Sequence, residues 1–287
     1  MSHRNPPALL ATSWLLTLLL ALPASGASRE ECERQFTPQT GQPGKDVVWV
    51  PTNDALVARM LKMANVTSAD RVYDLGAGDG KIAIAAARDF GAQAVGVEYN
   101  PQLAKLAQCY VQAEKLAERV NIVQGDIFKT DFSSATVVTL YLLPELNLRL
   151  RPTILAMKPG TRVVSHSFLM DDWEPDERSM TEDGSAYLWI VPAPVAGTWE
   201  FREADGKGRF TAKLDQKFQE LSGRVGEEPL LANARVLGQE IHLRFVENGA
   251  PTKVAARVQG DRMEAEVTRG DKTTRYVGTR TQSSSSG

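Results

Sequence analysis

Residues 73–89 read YDLGAGDGKIAIAAARD and place Gly76, Gly78 and Gly80 at alternate positions. A short apolar run precedes these glycines, and an alanine-rich segment of helical character follows them. Because glycine has no Cβ atom, its backbone can turn sharply and pass close to a ligand. The stretch therefore predicts a ligand-binding turn between a strand and a helix.

Short apolar runs alternate with helical segments on both sides of this turn. The predicted strands are RVYDLG, AQAVGVE, VNIVQGD, ATVVTLYLL and TRVVSHSF, and the predicted helices include residues 79–90, 101–118 and 145–157. Such alternation predicts an α/β fold with a parallel, doubly wound, Rossmann-like sheet. Ligands of these sheets bind at the carboxyl ends of the strands, where the strand order reverses.

The spacing of the glycines indicates which ligand the turn binds. A dinucleotide fingerprint has two residues before its third glycine, whereas one residue separates Gly78 from Gly80 here. The difference argues against NAD and FAD and favours S-adenosylmethionine (SAM), which has no pyrophosphate to hold at the helix start. Asp74, at the end of the strand, could accept a hydrogen bond from the ammonium group of SAM.

Two further strand ends complete the predicted SAM pocket. Glu98 lies 20 residues after Gly78, where an acidic side chain can accept from both ribose hydroxyls. Asp126 could accept from the adenine amino group, with Ile127 or Phe128 packing on the ring. The predicted cofactor contacts are Asp74, Leu75, Gly76, Ala77, Gly78, Glu98, Tyr99, Asp126 and Ile127. Three scattered histidines and two distant cysteines give no metal-ligand spacing.

These residues resemble the class I SAM-dependent methyltransferases. The flanking segments VWVPTNDALVARML and DFSSATVVTLYLLPELNLRLRPTILAMKPGTRVVSHSF resemble bacterial, often signal-bearing methyltransferase-domain proteins. They resemble more distantly the mitochondrial protein-lysine methyltransferases that act on ATP synthase c-subunit and adenine nucleotide translocase. The resemblance covers about residues 45–200 and implies a SAM-dependent methyltransferase, with a protein lysine as one candidate for its unidentified acceptor.

The resemblance also suggests where the acceptor would enter. In that family Val50, Pro51 and Thr52 would cap the SAM pocket, and the turn at residues 141–144 would border the acceptor channel. Many amino-methyltransferases carry Asn-Pro-Pro-Tyr at this fourth strand, but this chain has YLLP. We therefore do not extend nucleic-acid or glutamine methylation to it, and no catalytic residue is assigned.

Two other features near the predicted site have open interpretations. His166 ends the fifth strand and is either a proton acceptor or a locally satisfied strand-end residue. An acidic loop, containing Asp171, Asp172, Glu174, Asp176 and Glu177, either recruits a cationic substrate or is a solvated surface.

The amino terminus has the three-part pattern of a secretory signal peptide. Arg4 precedes an apolar run that Pro23 ends, and Ser25 and Ala27 occupy the small-residue positions before a cleavage site. We predict a signal peptide at 1–27 and an exported, periplasmic protein, the alternative being an uncleaved membrane anchor. Export through this segment is the only membrane association expected.

Composition excludes some partners and leaves the cysteines open. A net charge of -2 and a pI near 6.0 give no sign of a nucleic-acid-binding surface. Cys32 and Cys109 could pair only if the fold brought them together, and Cys109 in a helix is otherwise interpreted as a buried thiol.

The carboxyl-terminal third differs from the rest of the chain. From Gly197 onwards, short alternating runs such as GTWEF and EIHLRFV are separated by turn signals such as ADGKG and NGAP. They predict a small antiparallel all-β meander or barrel. The predicted boundaries are a linker at 28–46, the methyltransferase domain at 47–195, the β domain at 196–281 and a disordered tail at 282–287.

A second function is also compatible with the sequence. SAM is made in the cytoplasm, so a signal peptide would carry the protein to a place where the supply of methyl donor is doubtful. The alternative is therefore an exported, non-catalytic protein that binds a nucleoside or another small molecule, with the β domain as an interaction module.

Overall fold

The computed structural model describes residues 27–282, which form two β-sheets and five α-helices. The first sheet has the strands β1 Arg71–Leu75, β2 Gln93–Glu98, β3 Val120–Gln124, β4 Val137–Leu140, β5 Arg162–His166, β6 Glu177–Thr181 and β7 Gly184–Ile190. Their order is β3-β2-β1-β4-β5-β7-β6, with β1 to β5 parallel and β7 antiparallel to both of its neighbours. The predicted doubly wound sheet is confirmed, and its order reverses between β1 and β4.

One strand lies in a segment that the sequence indicated to be an acidic loop. β6 forms the outer strand of a hairpin with β7, joined by the turn at Glu182 and Asp183. β6 is an edge strand, and most of its side chains are exposed and polar. Its sequence therefore lacks the alternation of apolar and polar residues that predicts a strand.

The helices are α1 Arg29–Phe36, α2 Asp54–Met63, α3 Lys81–Phe90, α4 Pro101–Ala113 and α5 Pro144–Leu155. Local sequence explains where two of them begin. The Asn53 side chain accepts from Ala55 N to cap α2, and the Asn100 side chain accepts from Gln102 N and Leu103 N ahead of Pro101 in α4. Apolar clusters fill both faces of the sheet, one under α2, α3 and α4 and one under α5.

The segment 28–46, expected to be a linker, contains the helix α1. A capping box between Ser28 and Glu31 begins the helix, and a disulfide joins Cys32 to Cys109 on α4. The Tyr110 hydroxyl also donates to Glu33 Oε1 at 2.9 Å. The thiol interpretation of Cys109 was therefore wrong: the fold brings residues 77 positions apart into bonding range, which spacing alone does not reveal.

The second sheet is a closed antiparallel barrel of eight strands with a two-residue strand at its side. Its strands are β8 Gly197–Glu203, β9 Arg209–Lys217, β10 Glu220–Val225, β11 Glu228–Pro229, β12 Arg235–Leu237, β13 Glu240–Glu247, β14 Ala250–Gln259, β15 Arg262–Arg269 and β16 Lys272–Gln282. Pairing of β9 with β10 closes the ring. Side chains alternate between a packed interior, including Trp199 and Phe245, and solvent. The predicted antiparallel β fold is confirmed. Because the sheet closes on itself, it is a barrel and not an open meander.

Polar and ionic contacts join the barrel to the first sheet. Trp173 Nε1 donates to Gln219 Oε1 at 2.9 Å, and Arg235 pairs with Asp176 at 2.5 Å. Within the described part of the chain, no helix has the length and apolar character needed to cross a bilayer. The predicted signal peptide, apart from Ala27, and the predicted tail, apart from Gln282, lie outside the described residues.

Candidate active site

The turn between β1 and α3 brings bare backbone to the carboxyl edge of the first sheet. Gly76 and Gly78 have φ angles of 83° and 56°, which side-chain-bearing residues rarely adopt. A Cβ atom on Gly78 would lie 2.5 Å from Trp49 Nε1, and one on Gly76 would lie 2.9 Å from Leu142 Cδ2. The backbone conformation therefore favours glycine at both positions, and at Gly78 the Trp49 indole also leaves no room for a Cβ atom.

A cavity of about 270 Å³ lies in front of this turn, at the edge where β1, β2 and β4 end. Eight of the nine predicted cofactor contacts line it: Asp74, Gly76, Ala77, Gly78, Glu98, Tyr99, Asp126 and Ile127. The side chain of Leu75 does not line the cavity. Successive strand residues face opposite sides, so Asp74 faces the cavity while Leu75 is buried in the core.

Asp74 is a buried carboxylate with one oxygen unsatisfied. Thr139 Oγ1 donates to its Oδ1 at 2.7 Å, and Oδ2 has no hydrogen-bond partner among the described residues. Burial raises the pKa of Asp74 to about 7, although the bond from Thr139 acts in the opposite direction. A buried, unpartnered carboxylate oxygen at a cavity wall is suited to an ammonium donor, which is what the amino-acid end of SAM presents.

Glu98 shapes the glycine turn as well as lining the cavity. Its Oε2 accepts from Gly78 N at 2.8 Å, and its Oε1 accepts from Asn100 N at 2.7 Å. Burial raises the pKa of Glu98, and these backbone hydrogen bonds lower it. Each carboxylate oxygen keeps a second lone pair, so the predicted acceptance from ribose hydroxyls is compatible with the backbone bonds.

Asp126, predicted to contact adenine, lines the cavity and also has a partner within the protein. Its Oδ2 accepts from Lys45 Nζ at 2.8 Å, which lowers the pKa of Asp126, and its Oδ1 accepts from Phe128 N. The same ammonium lies 5.6 Å from the ring centroid of Tyr99, an exposed residue beside the cavity. Sequence reasoning missed Lys45 because it lies 81 positions before Asp126.

Residues 44–52, which we call the strap, line the cavity on the side facing the glycine turn. Lys45 at one end binds Asp126, and at the other end the Thr52 carbonyl accepts from Lys81 Nζ at 3.1 Å. Trp49 packs on Gly78 between them. The capping role expected for Val50, Pro51 and Thr52 fits this placement. The aromatic residue in the run VVWVP was the available signal for the missed Trp49.

The far side of the cavity is aromatic. Tyr141 and Phe168 line it, and the rings of Tyr141 and His166 stack with centroids 3.7 Å apart. His166 Nδ1 lies 3.1 Å from Thr52 Oγ1, with both residues buried. Burial lowers the pKa of His166 to about 4, so its imidazole is uncharged at neutral pH.

The acidic loop is largely used to hold the structure together. Asp172 pairs with Arg151 at 2.7 Å and with Lys217 at 3.2 Å. Asp176 pairs with Arg235, and Glu174 pairs with Arg178. These three carboxylates bind arginine and lysine side chains of this chain, so recruitment of a cationic substrate is not their evident role.

Comparison with known proteins identifies the family. A family model for the ANTKMT methyltransferase domain matches residues 74–177, ending before β8. A protein-lysine N-methyltransferase from Saccharolobus islandicus is 44% identical over 151 residues, which are 50% of this chain and 94% of that protein. An adenine nucleotide translocase lysine N-methyltransferase from Mus musculus is 28% identical over 181 residues, which are 63% of this chain and 67% of that protein.

A solved structure agrees with these matches. The crystal structure of an RNA methyltransferase from Salinibacter ruber in complex with S-adenosyl-L-homocysteine is 47% identical, with a TM-score of 0.50, and the match covers 51% of this chain and 96% of that one. S-adenosylhomocysteine is what SAM becomes when its methyl group has been transferred, so the predicted cofactor is supported and the non-catalytic alternative is not favoured. The chain belongs to the class I SAM-dependent methyltransferases and is a relative of the protein-lysine methyltransferases.

Proposed function

We propose that this methyltransferase modifies the side-chain amine of a lysine in a protein. The relatives from Saccharolobus islandicus and Mus musculus are named lysine N-methyltransferases, which supports this acceptor. The Salinibacter ruber relative is named an RNA methyltransferase, so RNA is the competing acceptor class. The chain's net charge of -2 favours protein over RNA, because RNA binding requires basic surfaces.

The observation that carries the proposal is the character of the cavity beyond the cofactor turn. Its wall there is Tyr141 and Phe168, and its rim includes the exposed apolar residues Val48, Val50 and Leu143. A lysine side chain has a long apolar stem and a polar tip, and such a stem packs well along apolar surface. The uncharged His166 behind the wall adds no positive charge that would repel the amine.

Methyl transfer requires the protein mainly to align the acceptor with the methyl group and to exclude water from both. SAM, when bound, supplies an electrophilic methyl group that carries its own leaving group. The unsatisfied Asp74 oxygen would hold the cofactor ammonium, and the strap would exclude water from the site. The lysine nitrogen forms the new N–C bond as the C–S bond breaks, and the displaced electron pair stays on sulfur. The proton that the lysine ammonium loses beforehand passes to water.

We further propose that the mature protein works outside the cytoplasm, with membrane anchoring through the same amino-terminal segment as the alternative. The disulfide between Cys32 and Cys109 supports export, because disulfides persist mainly in oxidising compartments. Residues 1–30 fused to a reporter that is active only after export would test this. An inactive reporter would contradict export, and fractionation of an active fusion would distinguish a secreted protein from an anchored one.

Transfer of labelled methyl groups tests the acceptor. Purified mature protein, incubated with labelled SAM and cell lysate, should label protein, and the label should survive nuclease and appear as methyl-lysine on hydrolysis. The Asp74→Ala variant should label nothing, while Asp205→Ala, which changes an exposed aspartate on the barrel, should label normally. Label confined to RNA would overturn the lysine proposal.

A further inference from the structure

The Tyr141 ring at the acceptor side of the cavity has two aromatic neighbours, His166 and Phe168. The Tyr141 ring lies nearly parallel to His166, at 3.7 Å and 27°, and also to Phe168, at 6.2 Å and 21°. Tyr141 and Phe168 face the cavity, whereas His166 is 8% exposed and is not part of the cavity wall. His166 therefore backs the Tyr141 ring from the protein side.

The His166 ring is itself fixed by its surroundings. Thr52 Oγ1 lies 3.1 Å from Nδ1. A Cβ atom on Gly184 would lie 3.5 Å from Nε2, which shows how closely the β6–β7 hairpin approaches the ring. Thr52, Gly184 and the Tyr141 ring thus surround the imidazole on three sides. The fixed imidazole in turn restricts the orientation of the Tyr141 ring that stacks on it.

We propose that the acceptor nitrogen binds against the face of the Tyr141 ring. His166 is a positioning residue that keeps this ring aligned with the wall of the acceptor channel. The inference rests on the proposed amine acceptor and deepens it. The face of an aromatic ring carries negative charge density that attracts an ammonium group, and it offers an amine a dry, apolar surface. Thr52 belongs to the strap, so its bond to His166 ties the cofactor side of the site to the acceptor side.

Steady-state kinetics with poly-L-lysine as acceptor tests the inference. Tyr141→Leu and His166→Ala should each raise the KM for poly-L-lysine about ten-fold or more, with the Kd for SAM measured by calorimetry changing less than two-fold. Tyr141→Phe and His166→Phe keep a flat ring at each position and should restore KM to within about three-fold of the parent. His242→Ala, which removes an exposed histidine from β13, is the matched control and should change neither value.

A binding measurement without turnover supports the kinetic one. Poly-L-lysine should bind to parent protein saturated with S-adenosylhomocysteine and should bind more weakly to the Tyr141→Leu and His166→Ala variants. Parent-like KM and binding in both variants would overturn the role of the stack while leaving lysine methylation intact. If the parent binds SAM but neither binds nor methylates poly-L-lysine, the proposed acceptor itself is wrong, and the inference fails with it.

Discussion

Thr139 donates a hydrogen bond to Asp74 across the β1–β4 pair, with 2.7 Å between Thr139 Oγ1 and Asp74 Oδ1. The two residues are directly opposite in the register of the parallel strands, at the place where the strand order reverses. The bond fixes the carboxylate and leaves Oδ2 without a partner among residues 27–282. The position at which this fold binds ligands thus has a charged acceptor that the protein does not satisfy.

Replacing Asp74 by asparagine should weaken SAM binding about 10- to 100-fold, because a charge-assisted hydrogen bond contributes roughly 1.5–3 kcal/mol. The substitution keeps the shape of the side chain and removes its charge. Calorimetry on the purified protein measures the change, with Asp205→Asn on the barrel surface as control. SAM affinity equal to that of the parent would show that Asp74 does not contact the cofactor ammonium.

The pKa of Asp74 predicts opposite pH trends with and without cofactor. Burial raises this pKa to about 7 in the folded protein, against about 3.9 in an unfolded chain. The folded state therefore keeps the proton over this range, and the stability that this group contributes is present at low pH and is lost as pH rises towards 7. SAM affinity should change the other way, because the cofactor ammonium needs the ionised carboxylate.

The increase in Tm on adding SAM should consequently be larger at pH 7.5 than at pH 5.5. Thermal unfolding at the two pH values, with and without SAM, measures it. Asp74→Asn removes the titrating group. In this variant the increase in Tm on adding SAM should be smaller than in the parent and should depend less on pH. An equal pH dependence in parent and variant would assign the effect to another group, such as Glu98, whose pKa burial also raises.

Gly78→Ala should abolish SAM binding because the new methyl group would meet Trp49 at 2.5 Å in a backbone conformation of φ 56°. Gly260→Ala is a matched control, since Gly260 has a φ of 58° and nothing within 4 Å of the added atom. Both variants bear the strain of a left-handed alanine, roughly 1–2 kcal/mol. Both variants should lose stability through this strain, Gly78→Ala more because of its clash with Trp49, and SAM binding should be lost only in Gly78→Ala. Equal SAM affinity in the two variants would mean that the approach of Trp49 to Gly78 does not matter.

Breaking the disulfide should lower the free energy of unfolding by about 4.5 kcal/mol, the value expected from chain entropy for a loop of this length. The crosslink spans 77 positions and ties α1 to α4. Urea denaturation of the purified protein with and without reductant measures the loss. A Cys32→Ser, Cys109→Ser variant should match the reduced parent and should not respond to reductant. An oxidised parent whose midpoint is unaffected by reductant would contradict the bond or its contribution.

Local sequence patterns predicted much of the fold. The period of apolar residues predicted β1 to β5 and the helices between them, and the glycine spacing after β1 indicated SAM rather than a dinucleotide. These features depend on neighbours a few residues apart, which sequence displays directly. The strand β6 gave no such pattern, because most side chains of this edge strand remain in solvent.

The site could be predicted only in outline. Asp74 and Glu98 follow strands whose carboxyl ends must meet at one edge, so their proximity was predictable. The partners Lys45 of Asp126 and Thr52 of His166 lie 81 and 114 positions away, and no local signal links them. The packing of the sheet decides which side of β1 faces the cavity, and it places Asp74 in the cavity wall and the side chain of Leu75 in the core.

The sequence by itself determined a doubly wound α/β sheet, an all-β carboxyl-terminal unit and the class of cofactor, because each follows from short-range periodicity or spacing. Only the tertiary structure decided that Cys32 and Cys109 pair, that the barrel closes through β9 and β10, and that Tyr141 stacks on His166. Those contacts join elements far apart in the chain. Their formation depends on how the layers pack, which brings residues together whatever their separation in sequence.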